Sequence, residues 1–293
     1  GQPTHPLPPP PPPSPFAAQQ GHSDSVTCVA MSPRGNLVAS GQKTLMDHTA
    51  DVCLWDMGTQ QLAHRLSMHK TTVASVAFSP SGKYLVTLGG ADDGRVTVWD
   101  TASGKAVAGA AAASRSGGAA AAVAYSSTSD SMFATGGDNT LRLWTLDAAS
   151  GKLSVVDCVL GSLKRQFTRL CFSPSDEQLY AATTTGDMVL VAGMRNNNPL
   201  LKAVGPEKKK FVMGITALTA LKTGDLLVGA GDGCIALVKP AQGFKQERTT
   251  KLEGAVTSLA LRGEGHEFFA CTAVGTTARI ILADFNTEVK KIK

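Results

Sequence analysis

VASVAFSPSGKYLVTLGGADDGRVTVWD, residues 73–100, decides the fold. Val73 to Phe78 alternates in the period of two expected of a strand, and Ser79 to Gly82 reads as a turn. Tyr84 to Leu88 is a second strand, Asp92-Asp93-Gly94 a hairpin signal, and Arg95 to Trp99 a third strand. Lys105 to Ala108 supplies a fourth, and His69 stands ahead of the unit. Working outward, the unit recurs. Ser32-Pro33 lies 47 residues before Ser79-Pro80 and Ser173-Pro174 lies 94 after it, with Ser126-Ser127 at the intermediate place. Val29, Val76, Val123 and Leu170 are each 47 apart, and Leu218 and Leu259 follow after 48 and 41. Met31, Phe78, Tyr125, Phe172, Ala220 and Leu261 repeat the series two residues later. Trp55, Trp99 and Trp144 mark the third strand of the first three copies, whereas Val191, Val238 and Leu282 are read at that place in the last three.

A period of 41 to 48 residues with Gly-His early and Trp-Asp late resembles the blades of WD-repeat propellers, each a four-stranded antiparallel sheet. The expected fold class is therefore all-β: a WD-repeat β-propeller with six recognisable four-stranded blades and no long helix. Most such rings have seven blades, so the chain reads as an incomplete seven-bladed ring. The blades are expected at about 21–67, 68–113, 114–164, 165–213, 214–253 and 254–293, after a proline-rich disordered leader at 1–20. The resemblance implies a structural network of His, Ser or Thr, Asp and Trp. His69, Thr87, Asp93 and Trp99 stand at those positions in the second copy. The first has His22, Ser40 and Trp55, with Thr49 where the hairpin Asp is expected; the third has Thr135, Asp138 and Trp144 without the His. Of the later copies, only Asp232 is read as a hairpin Asp, which leaves those blades to apolar packing.

Composition agrees with a turn-rich β protein. Hydrophobic residues make up 43% of the 293, enough for a sizeable core, and 30 are Gly. Charged residues reach only 17%, against about 25% in an average globular protein. The net charge of +5 is scattered, so nucleic acid is not an expected partner. The Ala-rich stretch from Ala106 to Ala124 is broken by Ser114, Arg115 and Ser116, and no membrane partner is expected. The first residues of the sequence carry neither the basic n-region nor the apolar h-region of a secretory signal, and Cys28, Cys53, Cys158, Cys171, Cys234 and Cys271 form no C-x-x-C pair, so the expectation is reduced thiols in an intracellular protein. The chain opens on Gly1 rather than Met, as a processed or partial chain does. Proline offers no backbone donor, so PLPPPPPPSP at 6–15 is an extended segment that could dock a proline-binding adaptor.

Local catalytic signatures are missing: no G-x-S-x-G, Walker A loop, H-E-x-x-H or Rossmann glycine pattern occurs. The reading is a non-enzyme, with no catalytic residue, cofactor or metal assigned. Asp92, Asp93 and Asp138 are hairpin residues before they are Ca²⁺ ligands, His266 is a turn residue, and the Ser-Pro pairs are turn elements before they are phosphorylation sites. Two features exceed the scaffold. QKTLMDHTA at 42–50 lengthens one loop and offers Leu45 and Met46 as partner contacts. LLKAVGPEKKKF at 200–211 gathers Lys202, Lys208, Lys209 and Lys210 into a basic run suited to an acidic partner.

RGNLVASGQ (34–42), ADVCLWD (50–56), YLVTLGGADDGRVTVW (84–99), TTTGDM (183–188), VGPEKKKF (204–211) and VTSLALRGEGHEF (256–268) together resemble the cilia- and flagella-associated protein 52 family. The likeness spans roughly residues 21 to 290 and implies the N-terminal of two tandem seven-bladed propellers, here less its first blade. It further implies a microtubule inner protein in the lumen of axonemal doublets, a cytoskeletal location in cilium or flagellum, and tubulin and other axonemal proteins as partners. The alternative is a WD-repeat interaction adaptor in the cytoplasm.

Overall fold

The middle strands of each copy are apolar on both faces, so a sheet built from them needs a neighbour on each side. The computed structural model describes residues 21–46, 48–113, 117–194, 200–204, 210–263 and 265–291, and it meets that need by stacking six sheets around an axis. The first blade is β1 (Val26–Met31), β2 (Leu37–Gln42), β3 (Thr49–Asp56) and β4 (Gln61–Lys70). The second is β5 (Val73–Phe78), β6 (Tyr84–Gly89), β7 (Arg95–Asp100) and β8 (Lys105–Ala111), and the third β9 (Ala120–Tyr125), β10 (Met132–Gly137), β11 (Thr140–Asp147) and β12 (Lys152–Asp157). The fourth is β13 (Phe167–Phe172), β14 (Gln178–Thr183), β15 (Met188–Ala192) and β16 (Leu200–Val204). The fifth is β17 (Ile215–Ala220), β18 (Leu226–Ala230), β19 (Cys234–Lys239) and β20 (Lys245–Lys251). The sixth is β21 (Val256–Arg262), β22 (Glu267–Thr272), β23 (Thr276–Ile281) and β24 (Thr287–Lys291). Each is a four-stranded antiparallel meander. No α-helix occurs among the described residues; Pro240–Gln242 forms a 3-10 turn. The leader at 1–20 lies outside the described residues.

Five apolar cores join the six blades. Ala39, Val52 and Leu54 of the first meet Val73, Phe78, Leu85 and Trp99 of the second. Equivalent clusters follow around Phe133 and Trp144, around Phe167 and Leu179, around Ile215 and Met188, and around Val256 and Phe268. Ring order follows chain order: inner strands β1, β5, β9, β13, β17 and β21 pack successively, and β21 does not pack back on β1 in that way. Each inner strand carries a bulge near its start, at Thr27, Ala74, Ala121, Thr168, Thr216 and Thr257. Three of these threonines staple blade to blade: Thr27 Oγ1 donates to the carbonyl of Val73 at 2.6 Å, Thr168 to Ile215 at 2.5 Å and Thr216 to Val256 at 2.5 Å. At the opposite rim, Asp130 accepts from Ser81 N and Oγ (3.0 and 2.5 Å), and Asp176 accepts from Ser126 Oγ and the amides of Ser127 and Thr128 (2.6, 2.7 and 2.9 Å). Ser32, Ser79 and Ser173 of the Ser-Pro pairs are buried, each Oγ accepting an amide hydrogen from the residue five places on at 3.0 to 3.1 Å.

Several sequence readings are corrected here. The sixth-blade residue that faces Phe268, as Trp99 faces Leu85, is Ile280 and not Leu282. Three consecutive apolar residues, Ile280, Ile281 and Leu282, erase the alternation that would have distinguished them. The outer strand of the first blade runs to Lys70, past the boundary placed at 67, because His69 pairs with Ala50. Thr49 and Ala50 belong to β3, so the extra loop is 43–48; Ala50 is fully buried. Lys202 lies on β16, so the basic run begins on a strand.

One face of the first blade has no cover. Val26, Val29 and Met31 are 49%, 64% and 61% exposed, whereas Val73, Val76 and Phe78 at the same register are at most 8% exposed. Adjacent exposed apolar side chains drive association. Val29→Ser with Met31→Ser is expected to reduce self-association of the 293-residue chain in sedimentation velocity, while unfolding free energy moves by no more than about 0.5 kcal/mol. Unchanged self-association would show that this face is not the adhesive one.

Candidate interaction surface

Alternating strand direction puts the β2–β3 type hairpins and the connections from each outer strand to the next inner strand on one rim, here called the upper rim. Polar side chains under that rim tie these two kinds of segment together. In the second blade, Asp93 Oδ2 lies 2.7 Å from His69 Nδ1, His69 Nε2 lies 2.6 Å from Thr87 Oγ1, and Trp99 Nε1 donates to Thr87 Oγ1 at 2.9 Å. The donors and acceptors balance when Nδ1–H of a neutral imidazole donates to Asp93 and Thr87 donates to Nε2. Burial depresses the His69 pKa, with the Asp93 hydrogen bond opposing it. The first blade repeats the chain with an amide in place of the carboxylate: Gln42 Oε1 to His22 Nδ1 at 2.8 Å, His22 Nε2 to Ser40 Oγ at 2.6 Å, and Trp55 Nε1 to Ser40 Oγ at 2.8 Å. Thr49 takes no part in it and is exposed on β3. In the third blade only Trp144 Nε1 to Thr135 Oγ1 remains, at 2.8 Å, and the Asp138 carboxylate instead accepts from Asn139 Nδ2 at 3.0 Å.

The fourth blade replaces this relay with an ion pair. Asp187 is 8% exposed; it accepts from Arg165 Nη2 at 2.9 Å, from Thr185 Oγ1 at 2.7 Å, and from Thr183 Oγ1. Burial opposes its ionisation, yet the Arg165 guanidinium and the two hydroxyls hold its pKa down to about 2. Asp232 is therefore not the sole hairpin carboxylate of the later blades. It accepts the Cys234 amide at 3.1 Å and pairs with exposed Lys251 at 3.0 Å. Gln42, Arg165 and Asp187 are structural residues that the repeat pattern missed. TTTGDM carries Asp187 in plain view, whereas nothing local marks Gln42 or Arg165, whose partners are about 20 residues away.

With the segments so tied, their tips define a surface. Leu45 and Met46, 70% and 75% exposed, project from the 43–48 loop. Val159, Val212, Met213 and Val274 are exposed on the same rim, while among the described exposed large hydrophobics only Met57 sits on an opposite-rim connection. Lys43, Lys70, Lys164 and Lys210 add exposed positive charge to the upper rim. Lys202 is exposed on β16; Lys208 and Lys209 lie outside the described residues, as does the 6–15 proline tract. Among the described residues no group of three His, Cys, Asp or Glu side chains could hold a metal ion, and no helix is long and apolar enough to cross a membrane. The arrangement is that of a contact surface: aliphatic and thioether tips among lysines, on a rigid frame.

Residues 19–284 match the family described as Echinoderm microtubule-associated protein first beta-propeller. The chain belongs to that family. The chain is also similar to cilia- and flagella-associated protein 52 of Homo sapiens, 42% identical over 91% of this chain and 42% of the relative. The protein of the same name from Chlamydomonas reinhardtii is 40% identical over 87% of this chain and 40% of the relative. These relatives agree with the resemblance carried by the runs at 34–42, 50–56 and 84–99. The chain spans about two-fifths of their length. Among solved structures, the β-propeller domain of Cps50 (Swd1) from Myceliophteria thermophila superposes with a TM-score of 0.74 at 18% identity, covering 93% of this chain and 88% of that one, a likeness of fold.

Two tests probe the frame of this propeller. Thr87→Val leaves His69 Nε2 and the Trp99 N–H buried without partners, and is expected to cost about 2–3 kcal/mol in urea unfolding. Thr135→Val strands the Trp144 N–H alone and should cost less, about 1–2 kcal/mol. Equal costs below 0.5 kcal/mol would deny the relay its structural role. The second test uses pH. The folded pKa of His69 is lowered from 6.5, so the unfolded chain binds a proton there first. Its stabilisation is full above about pH 6.5 and is lost as pH falls through the folded value. Melting temperature should accordingly drop between pH 7.5 and 5.5 by more in the native chain than in His69→Gln.

Proposed function

We propose that this propeller is a non-enzymatic structural scaffold of motile cilia and flagella, a microtubule inner protein that binds tubulin and neighbouring luminal proteins and stabilises axonemal doublets. The observation that carries the reading is the identity of 40–42%, over about nine-tenths of this chain, with cilia- and flagella-associated proteins of a mammal and an alga. The surface supports it. A rim of exposed Leu45, Met46, Val212 and Met213 among lysines suits a large, acidic protein partner, with apolar tips supplying affinity and lysines supplying encounter rate and salt dependence. No constellation for catalysis emerges among the described residues: the buried histidine is spent on Asp93 and Thr87. The place of action is the axoneme, and the lysines at 202 and 208–210 form part of the contact.

Axoneme fractionation tests this directly. The protein is expected to resist high-salt extraction and to leave with the tubulin of the doublets; recovery in the detergent-soluble fraction would instead fit a cytoplasmic adaptor. On the rim, Leu45→Ser with Met46→Ser is preferable to deleting 43–50, which would remove buried Ala50. That pair should weaken microtubule co-sedimentation at low and high salt alike. Lys208→Ala, Lys209→Ala and Lys210→Ala together should weaken it by about 1–2 kcal/mol at low salt, with the loss shrinking as salt rises. Native-like binding by both variants at both salts would move the contact to another face.

A further inference from the structure

The inner strands border an open axial cleft of about 660 Å³, lined by residues of β1, β5, β13, β17 and β21, among them the uncovered Val26, Val29 and Met31. Its lining is uncharged except at one point, Arg169. The residue after the bulge is small in every other inner strand: Cys28, Ser75, Ala122, Ala217 and Ser258 hold the position of Arg169, as their pairing with Gly41, Leu88, Gly136, Gly229 and Cys271 establishes. A long cation therefore occupies one of six equivalent places that otherwise carry small side chains, two of them, Ala122 and Ala217, buried between blades. Packing gives no reason for it, since the side chain is exposed to the cavity rather than seated in a core. Its hydrogen bond is to a neutral acceptor, the carbonyl of Thr168, 2.7 Å from Nη1. No carboxylate pairs with it among the described residues, whereas Arg165 four residues earlier is held by Asp187. The surrounding wall desolvates the guanidinium and pushes its pKa down with nothing opposing.

We propose that the axial channel is a binding site for an acidic polypeptide segment, with Arg169 pairing a ligand carboxylate. A guanidinium presents a planar fork of donors that matches a carboxylate bidentately. A single cation suits a single-charge carboxylate better than a phosphate dianion. The cavity is of the size that holds a ligand of many atoms rather than one small ion. Its walls fit a peptide as well: Ser75, Thr257 and Ser258 offer hydroxyls, and Val76, Leu218 and Leu259 offer apolar contact. The site is independent of the upper rim and of the axonemal reading.

The test is fluorescence anisotropy with the 293-residue chain, using fluorescein-labelled hexaglutamate, hexaglutamine as the neutral control and inorganic phosphate as competitor, at two salt concentrations. Hexaglutamate is expected to bind at least tenfold more tightly than hexaglutamine, Arg169→Gln to lose at least tenfold, and Arg169→Lys to recover part of the loss. Lys105→Gln with Lys152→Gln, exposed at the starts of the outer strands β8 and β12, should leave binding within twofold. Melting curves of the Arg169 variants establish that they fold, and Arg169→Lys serves should Arg169→Gln not. Failure of the native chain to prefer hexaglutamate, unchanged binding in Arg169→Gln, or loss confined to the outer-strand variant would each overturn the proposal. Displacement of hexaglutamate by phosphate at equal concentration would reduce the site to one for a small anion and overturn it equally.

Discussion

A four-stranded sheet that is apolar on both faces cannot be covered by the surface of one neighbour, and every larger feature of this molecule follows from that constraint. β6 and β18 are buried along their whole length, which requires packing above and below them. Sheets that each need two neighbours form a row, and the right-handed twist of the strands curves the row into a ring. Cores then lie between blades and not within them, which is why five clusters join six blades. The same constraint leaves one face of the first blade with its valines and methionine uncovered. Curvature must also be absorbed where the blades crowd at the axis. The bulge repeated in all six inner strands does this, and at three of them a threonine uses the bulged position to bond the next blade.

The polar relays obey a simple accounting rule. An indole N–H buried against the next sheet needs an acceptor. Ser40, Thr87 and Thr135 stand opposite the inner-strand positions Val29, Val76 and Val123 and supply it to Trp55, Trp99 and Trp144. Where Val191, Val238 and Ile280 replace the tryptophan, the hydroxyl is gone too: Ala181, Val228 and Ala270 fill its place. Donor and acceptor disappear together, so neither is left stranded. The histidine and carboxylate extend the relay upward only where the hydroxyl exists to receive it, and the fourth blade closes its hairpin with Arg165 and Asp187 instead.

Six blades and their inner strands were legible because two periods coincide, two residues within a strand and about 47 between copies. Legibility failed where one period vanished. At 280–282 three apolar residues in succession hide which one faces the core, and at 49–50 a strand start is masked by the inserted loop before it. The network was readable where the residue types are distinctive, as at His69, Thr87, Asp93 and Trp99. Gln42 was invisible because an amide replacing a carboxylate leaves no pattern, and only the fold brings it 2.8 Å from His22. The staple threonines and Arg169 were equally hidden, since their meaning depends on a bulge that a strand pattern does not encode.

The two rims differ for a physical reason. On the lower rim, the turns of neighbouring blades are latched to each other: Asp130 to Ser81, and Asp176 to Ser126 and the amides beyond it, with the Ser-Pro hydroxyls consumed inside their own turns. A segment whose polar groups are bonded to the adjacent blade cannot lengthen without breaking that bond. On the upper rim, the relays and backbone bonds such as Thr44 N to Thr71 O and Asn139 N to Arg165 O tie hairpin to connection, and the side chains of Leu45, Met46, Val212 and Met213 project beyond them. Side-chain composition can vary there at little cost to the fold. The longer 43–48 loop and the exposed Met213 at a positive φ of 60° stand on that rim accordingly. The frame thereby presents its exposed apolar tips on one surface, and binding specificity has room to develop in side chains that the scaffold does not bury.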